Sequence, residues 1–153
     1  MNSLRKPLVK ASVISLAIAV SPLATSEEVP TLYERLGGLA PLSVVVSEFI
    51  DVIVVDDTLN ANPAIDASRK AVPAPYLKYQ VTSMVCQATG GPCQYIGRSM
   101  KDSHQHLNIT TAEWQHMVVL LIGVFDKFEI PEKEQQELLA IVDTTKADIV
   151  TAE

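Results

Sequence analysis

The stretch "ATGGPCQYIGRSMKDSHQHL", residues 88–107, constrains the fold more than any other part of the chain. Two glycines followed by a proline stop a helix. Glycine takes the left-handed C-terminal conformation readily, and proline lacks the backbone donor a further turn needs. A helix arriving at Gly90 must end, and the chain must run as a loop before it can coil again. His104 and His106 follow, two of only three histidines in the protein. Either this is a turn with incidental histidines, or the loop is shaped to aim one imidazole at a metal.

The rest of the composition sets the frame for that choice. At 153 residues the chain can bury one core and is too short for two ordinary domains. With 48% hydrophobic and 20% charged residues it is globular rather than disordered. Its formal charge of -6 argues against nucleic acid or an anionic membrane surface as partner, since both require basic patches.

The first residues are expected to be a targeting segment. Arg5, Lys6 and Lys10 precede the apolar run "ASVISLAIAVSPLA", and Ala24 and Ser26 supply small residues before Glu27. That order is a secretory signal, residues 1–26, leaving a domain of residues 27–153. The alternative is an uncleaved membrane anchor. Against it stand Pro22 and a run shorter than the ~20 apolar residues a span needs. Cleavage removes three basic and no acidic groups, leaving 9 against 18, a charge of -9. The expected mature protein is acidic, periplasmic or secreted, and without a transmembrane segment.

Cys86 and Cys93 are the two cysteines, on either side of the Gly-Gly-Pro break. The chain has no C-x-x-C-H for covalent haem attachment, and no C-x-x-C for zinc or redox work. An oxidising compartment permits a bridge between them, with the glycines folding the chain back to close it. Two buried free thiols are the other reading.

Elsewhere the pattern is helical. Pro30 and the Gly37-Gly38 pair bracket a short helix in "PTLYERLGG". Residues 42–55 place Val45, Phe49, Val52 and Ile53 on one face; the valine run would suit a strand, but Ser47, Glu48 and Asp51 fit a helical polar face. The stretch "DDTLNANPAIDASRKAVPAP" reads as a corner with one short turn inside it. Residues 76–88 form the helix that the break ends. Thr110, Thr111 and Glu113 open another, running to about Lys127 with Trp114, Met117, Val118, Leu121 and Phe125 at helical spacing. Pro131 opens a last helix burying Leu138, Leu139, Ile141, Val142 and Ile149, and the run "PEKEQQE" reads as a solvated face. No strand is expected. The fold class is all-α.

Met100, His104 and Leu107 stand at i, i+4 and i+7, on one helical face. His106 points to another side of the same turn and cannot share a ligand with His104. Taken alone, His104 is either a ligand or an ordinary core or surface histidine. His116 reads as a solvated helical residue, with no nucleophile motif near it for acid-base or Ser-His-Asp chemistry.

Taken in order, "LYERLGG", "LKYQV", "ATGGPCQYIGRSM", His104 and "LNIT…W" resemble the truncated haemoglobins of group I, across about residues 32–150. The most specific element is the G-G-P-x-x-Y-x-G-R-x-M-x-x-x-H run at 90–104. The resemblance implies a truncated-globin two-on-two helical sandwich, in which a loop replaces most of the helix bearing the iron ligand. It implies haem b, with its iron, as cofactor and His104 as the proximal ligand; imidazole suits an iron whose other face stays open. It places Tyr95 near a haem propionate, Met100 on the porphyrin, and Trp114 behind the proximal side, where the family usually has Phe. On the distal side it places Phe49, Ile50, Leu77 and Val81.

Some positions depart from that pattern. Ile50 stands where many members carry Tyr, Val81 at a frequent Gln position, and Asn62 and Pro63 where aromatics are usual. Ile50, Leu77 and Val81 offer a ligand no hydrogen-bond donor; the nearest by sequence are Gln80, at the edge of the distal face, and Tyr79, which helical spacing aims elsewhere. Fast oxygen release is therefore expected, with carbon monoxide binding less affected. The leading reading is reversible binding of oxygen or another diatomic gas. The alternatives are a haem enzyme removing nitric oxide or peroxide, with a reductase as partner, and a cofactor-free helical binding module. Peroxide cleavage requires a distal acid/base, which those three apolar residues do not provide.

Overall fold

The computed structural model describes residues 29–153. The expected signal segment lies outside the described residues. Helix α1 (Leu32–Arg35) starts at a capping box: the Thr31 side chain accepts from the Glu34 amide, and the Glu34 carboxylate accepts from the Thr31 amide at 2.8 Å. Helix α2 (Leu39–Val55) follows, then α3 (Asp57–Asn60), α4 (Pro63–Ala71) and α5 (Ala74–Ala88). A loop leads to α6 (Met100–His104). Strand β1 (Ile109–Thr110), α7 (Thr111–Lys127), α8 (Glu132–Asp143), α9 (Lys146–Ile149) and β2 (Val150–Ala152) complete the chain.

Helix α2 packs on both α5 and α7, and α7 packs on α8, so two helix pairs are layered on one another. This placement explains why the valines of α2 resist assignment to one face. Leu42, Val46 and Ile50 are its buried residues, while Val45 and Phe49 pack against the main core of Leu32, Leu121, Phe125 and Leu138. A helix sandwiched between neighbours is apolar around most of its circumference, so the single face expected from periodicity is only part of the contact. Arg35 ties α1 to α8 through Glu134, at 2.9 Å, and Glu137. Glu134 is therefore a buried ion-pair partner and not part of a solvated face, and the Arg35 hydrogen bond holds its pKa below the ordinary carboxylate range.

The break at Gly90 takes a defined form. Gly91 N–H donates to the Cys86 carbonyl at 2.8 Å and Gly90 N–H to Gln87 at 3.2 Å, with Gly90 at φ +87°. This is the Schellman pairing that closes a helix with a left-handed residue. A Cβ at Gly91 would lie 2.6 Å from the Tyr33 ring and 2.8 Å from the Cys86 carbonyl oxygen, so no larger residue fits there. Cys86 and Cys93 form a disulfide, their Cα atoms 5.7 Å apart, with Cys86 wholly buried. Closing so short a loop contributes about 2 kcal/mol in the chain-entropy account.

Three local expectations differ from the structure. The corner holds two helices, α3 and α4, where one turn was expected. The last helix is divided at Thr144–Thr145 into α8 and α9. And two very short strands do form: β1 pairs in parallel with β2, Ile109 opposite Val150 and Thr110 opposite Ala152. Two or three residues cannot show an alternating pattern, so such strands exist only because packing brings them together.

Candidate functional site

Helix α6 is capped by Ser99, whose hydroxyl oxygen accepts from the Asp102 amide at 3.0 Å. One turn later His104 Nδ1 lies 2.8 Å from the Met100 carbonyl oxygen. A carbonyl can only accept, so Nδ1 carries the proton and Nε2 keeps its lone pair. Nε2 bonds to no described residue. Burial pushes the His104 pKa below the ordinary histidine value; the Met100 bond opposes this in part, and His106 adds to the lowering. His104 is thus a neutral imidazole, oriented by one backbone bond, with a free ring nitrogen, which is the state a metal ligand requires.

The loop before α6 is held to α5 by side chains. Ser83 Oγ donates to the Gln94 carbonyl at 3.1 Å, and Tyr95 N–H donates to Gln87 Oε1 at 2.7 Å. The Tyr95 hydroxyl donates to the Arg98 carbonyl at 2.7 Å. Burial raises the Tyr95 pKa, with Tyr76 adding to it, so the phenol stays protonated and donating. Together with the disulfide, these bonds fix where α6 begins.

Behind α6 lies the second core, of Leu107, Ile109, Trp114 and Ile149, with Met100 packed against it. Trp114, 4% exposed, therefore backs the His104 helix. Asn62 is the residue that sequence reasoning undervalued. Its Oδ1 accepts from the Ala64 and Ile65 amides at the start of α4, and its Nδ2 donates to the Leu107 carbonyl at 3.0 Å. It joins the corner to the segment just after His104. The Asn-Pro pair is itself a helix-start signal; the longer-range bond has no local signature.

On the other side, Ile50 is 1% exposed, and Leu77 and Val81 are half-buried one turn apart on α5. Helix α2, which carries Phe49 and Ile50, packs on α5, and Phe49 lies against the main core. His106 is exposed. His116 Nε2 lies 3.0 Å and 3.1 Å from the carboxylate oxygens of Asp56, which also caps α3 through the Leu59 amide. His116 is thus paired, where a solvated residue was expected. Burial raises the Asp56 pKa, but the Leu59 amide and His116 outweigh it and the net shift is downward.

Among the described residues no three His, Cys, Asp or Glu side chains converge as a metal cage. A lone imidazole with a free nitrogen fits a metal whose remaining ligands come from a macrocycle, and the apolar side chains around it suit a flat apolar group. The residues present fit haem.

Layered helix pairs, a first helix of a single turn, and a histidine presented after a broken helix define a two-on-two globin. The chain belongs to the bacterial-like globin family, which matches residues 31–151. It is 27% identical over 127 residues to the group 1 truncated hemoglobin GlbN of Mycolicibacterium paratuberculosis, covering 82% of this chain and 88% of that one. With the group 1 truncated hemoglobin of Tetrahymena thermophila it shares 21% over 122 residues, covering 78% and 93%. The crystal structure of the truncated hemoglobin from Tetrahymena pyriformis in its Fe(III) form superposes with a TM-score of 0.69 at 20% identity, over 79% of this chain and 98% of that one. The 2/2 hemoglobin of Synechococcus sp. PCC 7002, with covalently attached heme, gives 0.69 at 21% over the same shares.

Proposed function

We propose that this globin binds haem b through His104 Nε2 and reversibly binds a diatomic gas on the opposite face. The observation that carries the reading is the 2.8 Å bond from His104 Nδ1 to the Met100 carbonyl, which holds the ring proton on Nδ1 and leaves the other nitrogen free. Haem, when bound, would supply an iron able to take a diatomic gas as ligand. The protein orients His104, excludes water with Ile50, Leu77, Val81 and Met100, and holds Tyr95 beside the loop where a propionate would emerge. Ile50, Leu77 and Val81 move no proton, so binding is favoured over peroxide chemistry. Adding haem to the purified protein tests this. A Soret band that shifts on reduction and again with carbon monoxide is expected; a chain that takes up no haem would be a globin-shaped binding module instead.

We also propose that the protein is exported, on the strength of the basic, apolar and small-residue order of residues 1–26 and of the Cys86–Cys93 bridge, which an oxidising compartment favours. Protein from the native host should begin near Glu27 and show no free thiol when denatured without reductant. An intact Met1 and two free thiols would place it in the cytoplasm.

A further inference from the structure

The His104 helix has several ties at its start and few at its end. At the start stand the Ser99 cap, the disulfide, and the bonds from Ser83 and Gln87 to the preceding loop. At the end, the Leu107 N–H donates to the His104 carbonyl at 2.8 Å and closes one turn. The chain then leaves through Asn108 at φ +50°, a left-handed conformation uncommon outside glycine. The Leu107 carbonyl belongs to the peptide between that turn and that bend. Among the described residues, one side chain from outside α6 bonds to residues 104–108. It is Asn62, whose Nδ2 donates to the Leu107 carbonyl at 3.0 Å. The other end of the same amide is also engaged, since Oδ1 accepts from the Ala64 and Ile65 amides. Ala64 and Ile65 in turn pack on the core that holds Leu107, with Met100 against it. The half-buried Asn62 side chain cannot turn without losing a bond at one end or the other.

We propose that Asn62 is a positioning residue for the His104 imidazole. The Met100 carbonyl fixes the rotation of the ring; Asn62 fixes where the backbone behind the ring sits, by holding the peptide at Leu107. A ligand bond is directional, so groups that hold its donor from behind tune its strength. The bond also crosses 45 positions of sequence, from the corner between α3 and α4 to the end of α6. A shift of that corner is therefore felt at His104 as a pull on the Leu107 peptide. This inference rests on the haem-binding reading and adds what holds the ligand in place.

Wild type, Asn62→Ser and Asn62→Ala should be compared, first as apoprotein and then loaded with haem. Serine caps a helix about as well as asparagine does, but its hydroxyl ends a bond short of the reach to Leu107. Alanine loses the cap and the tie to Leu107 together. In apo Asn62→Ser, hydrogen exchange at the Leu107 amide should quicken about tenfold, the worth of one hydrogen bond. The α4 amides should keep their protection. In the ferrous haem form, the iron–histidine stretch seen by resonance Raman should shift and broaden, equally in Asn62→Ser and Asn62→Ala. Haem should leave both variants about tenfold faster than wild type. A stretch that moves only in Asn62→Ala would assign the effect to the α4 cap and overturn the positioning role. Unchanged exchange and an unchanged stretch in both variants, with a normal Soret band, would overturn it too and leave haem binding intact. No Soret band in the wild type would overturn both readings.

Discussion

Replacing His104 with Ala should remove the normal ferrous haem spectrum or most haem retention, while the apoprotein keeps its helical circular dichroism. The expected loss is large because, in the proposed reading, one imidazole is the only protein ligand to the iron, and neither other histidine can substitute. His106 is exposed, and His116 is bound to Asp56. His104→Gly with added imidazole should restore the spectrum, which separates ligation from a structural role. A His104→Ala protein with the wild-type spectrum would make another residue the ligand. The same imidazole predicts a pH dependence. Burial lowers its pKa, so the folded chain takes up the proton less readily than the unfolded one. Its contribution to stability is whole above the ordinary histidine value of about 6.5. It falls as pH drops below that value and is gone below the lowered pKa. Acid titration of the apoprotein's stability in denaturant should show this loss on the acid side only.

Trp114→Ala should destabilise the fold by about 3–5 kcal/mol and lower the thermal midpoint by ~10 °C or more. The indole is 4% exposed and fills the core between Leu107, Ile109 and Ile149, with Met100 against it. Nothing adjacent can collapse into so large a void without moving α6. Haem affinity should therefore fall together with stability, because His104 loses its backing. Val119→Ala on the same helix, at a site 64% exposed, should change stability by no more than about 0.5 kcal/mol. Denaturant melts of the two variants check the contrast; a Trp114→Ala loss below about 1 kcal/mol would mean that the packing behind α6 is not as described.

Much of this fold is legible in local signals. Thr31 with Glu34 and Thr110 with Glu113 are capping boxes three residues apart, and both form. Gly90-Gly91-Pro92 ends α5 with bonds that span only a few residues. His104 is legible as a candidate because Met100 stands one turn before it, and the bond that orients the ring is made to that residue. Family resemblance extended the same reading to Phe49, Ile50, Leu77, Val81, Tyr95 and Trp114. The positions of these residues in the fold follow from which helices pack together.

By itself the sequence determined the start of α7, the end of α5, the helical class and the candidate histidine at the end of the loop. Each depends on residues within about one turn of one another, whose caps, glycines and spacing act before any tertiary contact exists. Tertiary structure alone decided the rest. Arg35 meets Glu134 across 99 positions, His116 meets Asp56 across 60, and Asn62 meets the Leu107 carbonyl across 45. It also decided the pairing of β1 with β2 and the burial of Gln80 Oε1 without a partner among the described residues. A partner that far away leaves no periodic trace. Such pairs and buried groups are set by the volume left when α2, α5, α7 and α8 pack, and the chain encodes that volume only through all of its side chains at once.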